Sequence, residues 1–466
     1  MARLMKINSV LKNIFMDEEG TLPFDKFDES LTPNLRALRL SMSMADALLS
    51  MDVAASDVVD MTLGVTDTYC KRKVQIEIVS TLLMFSQDRG DDREPLTLIR
   101  AVGSRDVNMR QIQRIQELIR SIHKGKLTLE QAEKKFDYIM DHPERYPLWL
   151  RTIGNALISA GVGMLVTASP IIVVIMFLAG ALTDNIVRIM SKRRMPAFFV
   201  QIVAACFITM IAGLVAWLSH EGIAPILNDV DPNYIVVGGI IMLAAGMTVV
   251  GAVQDAIDEY YITANARLLG VVMMTAGIVV GVVIGVYIMR TLGIWMDLSP
   301  TSSSRIDLPL QYTGATLLAA GYAIGRHATM LGVVLSGLIG FITYASFLAL
   351  NMGSLSAIAA SGVAAAIAGA LATLSSRVSR IPSIVLASAG IITLVPGLTL
   401  FNGLMGIFVD SNSWTIDNTG SALLLKALFI ALSVAGGVSF GILFTRPLRR
   451  TLTRAKRVLP RRKLQG

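Results

Sequence analysis

The feature that most constrains this chain is a series of long apolar segments in its last two thirds. Ten runs approach the roughly 20 residues that an α-helix needs to cross a bilayer. They lie near residues 152–169, 171–190, 197–218, 234–254, 262–289, 309–325, 329–350, 353–374, 382–408 and 421–444. Hydrocarbon offers backbone groups no hydrogen bonds, so only helices and closed barrels cross it. The pattern predicts a polytopic α-helical membrane protein with about ten spans.

Charged residues divide the chain into two regions of different polarity. Residues 1–147 hold 21 Lys/Arg and 23 Asp/Glu, whereas residues 148–466 hold 21 Lys/Arg and only 11 Asp/Glu. The first region therefore has the composition of a soluble domain. The net charge of +8 arises from basic loops and a basic tail. Such charges beside apolar spans indicate a membrane surface with anionic lipid rather than a nucleic acid.

The polar region, residues 1–147, predicts an α+β domain. Helical spacing of apolar residues covers 35–51, 55–69, 107–123 and 127–140, with Thr128 as the cap of the last helix. Two β-rich runs, 74–85 and 96–102, flank a turn-forming segment at 88–91. Residues 4–15 form an amphipathic pattern that fits either the membrane surface or the domain itself. No secretory signal precedes the domain, so we expect it in the cytosol.

Candidate chemistry in the polar region is sparse. The two cysteines, Cys70 and Cys206, are far apart in sequence, and His123 and His142 have no metal-ligand spacing. No glycine-rich phosphate loop followed by Lys and Ser/Thr occurs. We therefore expect no metal, no cofactor and no enzyme activity. Transport, if it occurs, must draw on an ion gradient.

Lysine and arginine set the expected orientation. With the N-terminus inside, 17 basic residues fall on the cytosolic side and only Arg290 and Arg305 fall outside. The cytosolic set includes nine basic residues of the tail, 446–466. An even number of spans explains this partition. We therefore expect a multi-pass protein of the plasma membrane with both termini in the cytosol.

Three segments of the membrane region recur in the same order. Residues 211–219 match 367–375, 239–248 match 390–399, and seven positions between 263 and 285 recur 156 residues later. Two copies, 148–290 and 309–445, would each hold five spans and would therefore cross the bilayer in opposite directions. Such inverted repeats are typical of secondary transporters, which bind substrate near the bilayer midplane. A structural duplication without transport is the alternative.

The equivalent segments around Gly246 and Gly397 are the predicted substrate site. Pro396-Gly397 stands within the ninth span, where proline removes a backbone donor and predicts a break in the helix. A broken helix exposes carbonyls and amides that can bind a small zwitterion; a kink satisfied by neighbouring threonines is the alternative. The candidate substrate-binding residues are Gly246, Thr248, Asn265, Thr393, Pro396, Gly397, Thr399 and Asn402.

Charged residues at the same depth or at the cytosolic edge are the candidates for proton coupling or gating, because charges within a membrane usually face protein or water. They are Asp184, Asp255, Asp258 and Arg267. Arg267 either extends to the interface or pairs with Asp255. Asp255 and Asp258 have a simpler alternative as caps of a solvated loop.

The combination resembles the threonine/serine exporter family. The resemblance is carried by residues 47–58, by LAAGMT at Leu243–Thr248 with Gln254-Asp255 and Thr263–Arg267, and by LVPGL at Leu394–Leu398. It covers nearly the whole chain and implies export of threonine and serine, driven by the proton gradient. Relatives tend to have glycine after the first cytosolic helix, where this chain reads LLSMDV at Leu48–Val53. That departure concerns the cytosolic turn and leaves the membrane motifs intact.

Two other functions remain open at this point. One is a membrane-anchored enzyme or regulator that acts through residues 1–147, although ten spans are more than an anchor needs. The other is export of a different metabolite such as a dicarboxylate, which the scarcity of cations in the spans disfavours. The sequence leaves the oligomeric state open, a homo-oligomer included.

Overall fold

The computed structural model describes residues 32–89, 94–103, 105–167, 169–221, 231–243, 246–294, 307–379, 381, 383–397, 399, 402–403 and 418–458. The amphipathic segment 4–15 and the end of the basic tail lie outside these ranges. The chain divides into two compact units. The N-terminal unit is Met1–Val107 with Gln111–Pro143, and the membrane unit is Asn108–Arg110 with Glu144–Gly466.

Among its described residues, the N-terminal unit contains three whole helices, nearly all of a fourth (α3, which begins in the membrane unit) and one antiparallel sheet. Its elements are α1 (Pro33–Ser50), α2 (Ala55–Tyr69), β1 (Val74–Val79), β2 (Leu82–Gln87), β3 (Leu96–Ala101), α3 (Met109–His123) and α4 (Leu129–Asp141). Thr128 caps α4 in a capping box with Gln131, as the sequence predicts. The sheet order is β1-β2-β3, with Ile76 opposite Phe85 and Phe85 opposite Leu98.

One difference from the predicted elements concerns the run 74–85, which forms two strands rather than one. A turn separates β1 from β2, and Ser80 within it has a φ of 57°. Serine carries only a weak turn signal compared with glycine or asparagine, so apolar alternation hides this turn in the sequence. The result is a hairpin whose Ile76, Ile78, Leu83 and Phe85 side chains are buried.

A buried ion pair joins α1 to α4 within the N-terminal unit. Arg36 donates to both carboxylate oxygens of Glu133, at 3.1 Å through Nε and 2.5 Å through Nη2. The side chains are 12% and 4% exposed. A bidentate pair of this kind fixes the relative position of the two helices.

In the part of the membrane unit that the structure describes, seven helices are long and apolar enough to cross a bilayer. These are α5 (Leu148–Val166), α6 (Pro170–Lys192), α7 (Ala197–His220), α10 (Tyr261–Thr291), α12 (Met330–Met352), α13 (Ala357–Ser379) and α15 (Asn418–Val458), the last two through their apolar parts Ala357–Ser376 and Gly420–Thr445. The other predicted spans correspond to shorter or less apolar helices. They are α8 (Pro232–Leu243), α9 (Gly246–Ile257), α11 (Leu308–Gly325) and α14 (Ser383–Ile391). The chain is therefore a multi-pass helical membrane protein.

Glycines let several of these helices pack backbone to backbone. A Cβ atom on Gly281 of α10 would lie 2.3 Å from the Ile202 carbonyl oxygen of α7, and one on Gly437 of α15 would lie 2.1 Å from the Gly362 carbonyl oxygen of α13. Such distances leave no room for any side chain. These contacts are of the small-residue type that holds helices together in membranes.

Helices α5 and α11 contact each other through two pairs of glycines. A Cβ on Gly161 would lie 2.7 Å from the Gly314 carbonyl oxygen, and one on Gly314 would lie 2.8 Å from the Gly161 carbonyl oxygen. Seven residues away on each helix, Gly321 and Gly154 make the second such contact, with a Cβ on Gly321 placed 2.7 Å from the Gly154 carbonyl oxygen. The two helices therefore run antiparallel at van der Waals distance between their backbones.

Candidate functional site

The predicted break in the ninth apolar segment is confirmed. Helix α14 ends at Ile391, a single 3-10 turn covers Ile392–Leu394, and Val395 is extended with φ −66° and ψ 127°. Pro396 explains this geometry, because proline lacks the N–H that would continue the helix and disfavours helical dihedrals in the residue before it. The Gly397 amide donates to the Val395 carbonyl at 2.9 Å, which closes a tight turn around Pro396.

Five of the predicted substrate-binding residues lie at this break or just after it. Pro396 and Gly397 are buried, and the Thr393 Oγ1 is buried without a hydrogen-bond partner among the described protein groups. Thr399 and Asn402 follow in helical conformation and are half-buried. The structure thus places backbone irregularity and polar side chains together within an apolar segment.

The predicted residues of the first half are less closely grouped. Gly246 begins α9, and Thr248, two residues later, is half-buried; residues 244–245 lie outside the described part of the chain. Asn265 is exposed on α10. The predicted residues of the first half therefore lie on two helices, α9 and α10, whereas those of the second half follow one another along the broken segment.

Asp184 is a buried carboxylate held by neutral donors. It is 4% exposed on α6. Thr152 Oγ1 donates to Oδ2 at 2.8 Å, and Asn155 Nδ2 donates to Oδ1 at 2.7 Å. Thr152 and Asn155 lie three residues apart and so share one face of α5. Within the described ranges no basic side chain forms an ion pair with Asp184.

Asp255 and Arg267 form a salt bridge, which confirms one of the two alternatives for Arg267. Arg267 Nη1 lies 3.1 Å from Asp255 Oδ2, and the aspartate side chain is 0% exposed. The pair joins α9 to α10 across a turn in which Glu259 has a φ of 69°. Asp258 lies in the same turn and is half-buried. Removing either partner would leave a buried charge uncompensated.

Sequence reasoning missed four polar residues that the structure draws into these arrangements. Thr152 and Asn155 hold Asp184, while Ser336 and Thr343 of α12 are fully buried and have no hydrogen-bond partner among the described protein groups. The pattern Thr-x-x-Asn inside an apolar run is a signal that could have identified the first pair. In the part of the chain that the structure describes, no cluster of three His, Cys, Asp or Glu residues could hold a metal ion.

Comparison with known proteins assigns the chain to a family. A sequence model of the family described as a threonine/serine exporter, ThrE, matches residues 39–289, and a second model, described as "Threonine/Serine exporter, ThrE", matches residues 311–446. The chain is 29% identical over 421 residues to the "Probable threonine/serine exporter" of Mycobacterium tuberculosis, covering 89% of this chain and 77% of that one.

A second relative is the "Threonine/serine exporter" of Corynebacterium glutamicum. Identity is 28% over 435 residues, covering 92% of this chain and 86% of that one. No solved structure matches the chain. The first family model alone spans more than half of the chain, and the membrane unit supplies the apolar helices that an exporter requires. This chain belongs to the threonine/serine exporter family.

Proposed function

We propose that the chain exports threonine and serine as a proton-coupled secondary transporter that works by alternating access. The observation that carries the proposal is the helix break at Pro396 in a chain of this exporter family. Irregular backbone in an apolar environment leaves polar groups that a small zwitterion can use. The names of the two relatives supply the substrates.

The proposed architecture has ten spans in two inverted five-helix repeats. Its support is the α5–α11 contact, in which Gly161 meets Gly314 while Gly154 meets Gly321. Gly154 and Gly161 of α5 correspond to Gly314 and Gly321 of α11, each 160 residues later. In the structure each of these glycines contacts the counterpart of the other one. An exchange of this kind is what a two-fold relation between two halves produces.

The proposed topology follows from the charges. Residues 1–147 form a cytosolic domain, 148–290 and 309–445 form the two repeats, and the basic tail 446–466 lies against anionic lipid on the cytosolic side of the plasma membrane. The excess of basic residues in the loops assigned to the cytosol supports this orientation.

The proposed substrate site lies at the break. The carbonyls at the end of α14, where the helix dipole is negative, favour the substrate ammonium. Thr399 and Asn402, the half-buried polar side chains that follow the break, would contact the rest of the zwitterion. Gly246, Thr248 and Asn265 are the corresponding candidates of the first half.

Among the candidate charges we assign proton coupling to Asp184. Neutral donors hold both of its oxygens, so the site tolerates gain or loss of a proton without breaking an ion pair. The basic residues nearest to Asp184 in sequence are Arg188 on the same helix, α6, and Arg151 on α5, which packs against α6. The other two helices that contact α6 add little charge. Helix α8 carries no acidic or basic residue, and α7 carries only His220 near its end. Asp255, Asp258 and Arg267 are assigned to gating, because a buried pair at a helix turn changes when those helices move.

The first experiment measures proton coupling separately from the movement of threonine across the membrane. Purified protein in liposomes is assayed for threonine accumulation driven by a pH gradient and for exchange of internal with external threonine. We expect Asp184→Asn to lose the gradient-driven component and to keep exchange, since asparagine has the same shape, keeps an acceptor for the Asn155 amide and can donate to the Thr152 hydroxyl. Asp307→Asn is the matched control, because Asp307 is exposed at the start of α11.

Efflux from cells preloaded with a threonine dipeptide gives the second test. Chain-dependent efflux of threonine and serine that a protonophore abolishes is the expected result. Efflux that persists unchanged with the protonophore would contradict proton coupling. Absence of efflux of both amino acids, from protein present in the membrane, would contradict the substrate assignment.

A further inference from the structure

Buried hydroxyl groups in the apolar helices of this protein usually bond to their own helix. Thr209 donates to the Ala205 carbonyl at 2.9 Å, Thr275 to Val271 at 2.8 Å, and Thr373 to Gly369 at 2.8 Å. This bond to the preceding turn satisfies a hydroxyl where water is absent. A buried hydroxyl that lacks this bond is therefore an exception in this protein.

Three hydroxyls of the second half depart from this rule. Ser336 Oγ, Thr343 Oγ1 and Thr393 Oγ1 are buried, and none has a hydrogen-bond partner among the described protein groups. Ser336 and Thr343 are 0% exposed. A buried polar group that is left unsatisfied destabilises a protein, so three such groups call for a reason beyond packing.

Two of the three hydroxyls, those of Thr343 and Thr393, belong to elements that pack together at the break, and Ser336 lies further along the same face of α12. Ser336, Ile339 and Thr343 share one face of α12, because residues three, four and seven apart lie on the same side of a helix. This face of α12 contacts α14, because a Cβ on Gly390 of α14 would lie 2.4 Å from Ile339 Cγ2. Helix α12 also packs against the 3-10 turn that contains Thr393.

The contacts between α12 and α14 place Thr343 and Thr393 at a similar level along the two helices. A Cβ on Gly332 of α12 would lie 3.5 Å from Ile381 Cδ1, and nearly two turns further on Ile339 meets Gly390, so α12 and α14 run in the same direction. One more turn along α12 is Thr343, and three residues beyond Gly390 is Thr393. Ser336 lies on the same face about 10 Å from Thr343, nearer the start of α12.

The chemistry of this region favours an uncharged polar ligand group. Neither α12 nor the segment from Ser383 to Leu394 contains an Asp, Glu, Lys or Arg. Neutral hydroxyls can both donate and accept, which matches the hydroxyl of a small amino acid better than either of its charged ends.

We propose that Thr343 and Thr393 bind the side-chain hydroxyl of the exported amino acid, with Ser336 on the path that leads to them. This inference rests on the proposed function and names the groups that give it specificity for hydroxylated amino acids. A site that hydrogen-bonds a substrate hydroxyl discriminates against the analogue without it, because its own polar groups then stay unpaired.

The test compares threonine with valine, which has nearly the same shape but no hydroxyl. Binding of both to the purified full-length chain is measured for wild type, Thr343→Val, Thr393→Val and Ser336→Ala. We expect each threonine variant to weaken threonine binding about fivefold, the value of one hydrogen bond, and to leave valine binding unchanged or tighter. Threonine should therefore lose its advantage over valine.

Matched controls exclude a general effect of the substitutions. Thr209→Val removes a fully buried hydroxyl that bonds to its own helix, and Ser361→Ala removes a buried serine hydroxyl that donates to the Ala357 carbonyl at 2.7 Å. Both should keep the preference for threonine. Thermal unfolding adds a second measurement: Thr343→Val should melt no lower than wild type without ligand, yet threonine should raise its melting temperature less.

The outcomes separate this inference from the proposed function. Unchanged threonine binding and unchanged discrimination in both Thr343→Val and Thr393→Val would overturn the inference while export remains. Failure of the wild type to bind or export either threonine or serine would overturn the proposed function and this inference with it. A loss of discrimination equal to that in Thr209→Val would also overturn it, since the effect would then reflect packing.

Discussion

Adjacent glycines on α15 allow the contact between α13 and α15 to be tested by a single methyl group. A Cβ at Gly437 would lie 2.1 Å from the Gly362 carbonyl oxygen, whereas a Cβ at Gly436 would meet nothing within 4 Å. Gly437→Ala and Gly436→Ala therefore make the same chemical change on the same helix in opposite environments. Any difference between them measures the contact with α13.

The expected magnitude follows from the geometry. An ordinary contact to a Cβ is longer than about 3.4 Å, so α13 and α15 must separate by roughly 1 Å to accept alanine at position 437. A gap of that size removes a quarter to a half of the dispersion attraction across the contact, and overpacking typically costs about 1–3 kcal/mol. Gly436→Ala should instead gain up to about 1 kcal/mol from helix propensity. The two variants should therefore differ by about 2–4 kcal/mol.

Thermal unfolding of the purified protein in detergent measures the difference. We expect Gly437→Ala to melt several degrees below wild type and Gly436→Ala to melt at or above it. Equal melting temperatures for the two variants would refute the reasoning, because the close approach of the backbones would then carry no energetic weight.

Three further predictions concern the N-terminal unit. Glu133→Gln should lower the free energy of unfolding by about 3 kcal/mol in denaturant titrations, since Arg36 then keeps a buried charge without its carboxylate; a change below about 0.5 kcal/mol would contradict this. Burial raises the pKa of the Cys70 thiol to about 11, so maleimide should label it about a hundredfold more slowly than in the unfolded chain at neutral pH, in a variant that lacks the other cysteine. Burial also raises the pKa of Asp46 despite the attraction of Arg105, and a raised folded-state pKa gives stability at acid pH that is lost as pH rises. The stability of Asp46→Asn relative to wild type should therefore increase between about pH 3 and pH 7, and a flat difference would contradict the assignment.

Secondary structure in the N-terminal unit could be predicted because local signals agree with tertiary packing. Apolar periodicity places a helix at 55–69, and the structure has Ala55–Tyr69. Thr128 and Gln131 form the capping box that their spacing indicates. The turn at Ser80 was missed because its conformation depends on pairing between two strands rather than on a turn-forming residue.

The helix break of the candidate site could be predicted for a similar reason. Proline acts on its own backbone, so Pro396 marks the break without any knowledge of the fold. Hydroxyls carry no such signal: Ser336 and Thr343 look like Ser361 and Thr373 in sequence, and only the absence of a bond to the preceding turn distinguishes them. Whether a hydroxyl makes this bond depends on the side chains of the helix that packs against it, which the local sequence does not show.

Internal similarity predicts a repeat, and the glycine contacts suggest a slightly different offset for it. The match of 211–219 with 367–375 implies an offset of 156 residues. The contacts of Gly281 with Ile202 and of Gly437 with Gly362 instead pair positions 160 residues apart on α7 and α13. Two segments rich in alanine and glycine align almost as well when one of them is shifted by a helical turn. The contacts between helices therefore indicate the offset where the sequence alone does not.

The glycine contacts between α5 and α11 bear on how a chain of this kind could arise. Under the proposed repeat, the surface that α5 presents to α11 is the surface that α11 presents to α5, so the joint is self-complementary. A gene of half the length would already encode this joint, closed by a second copy inserted in the opposite direction. After fusion of two such genes, each half of the chain serves in only one of the two orientations and can change independently of the other. One half of the present chain then carries a buried carboxylate, Asp184, where the other half carries unpaired hydroxyls.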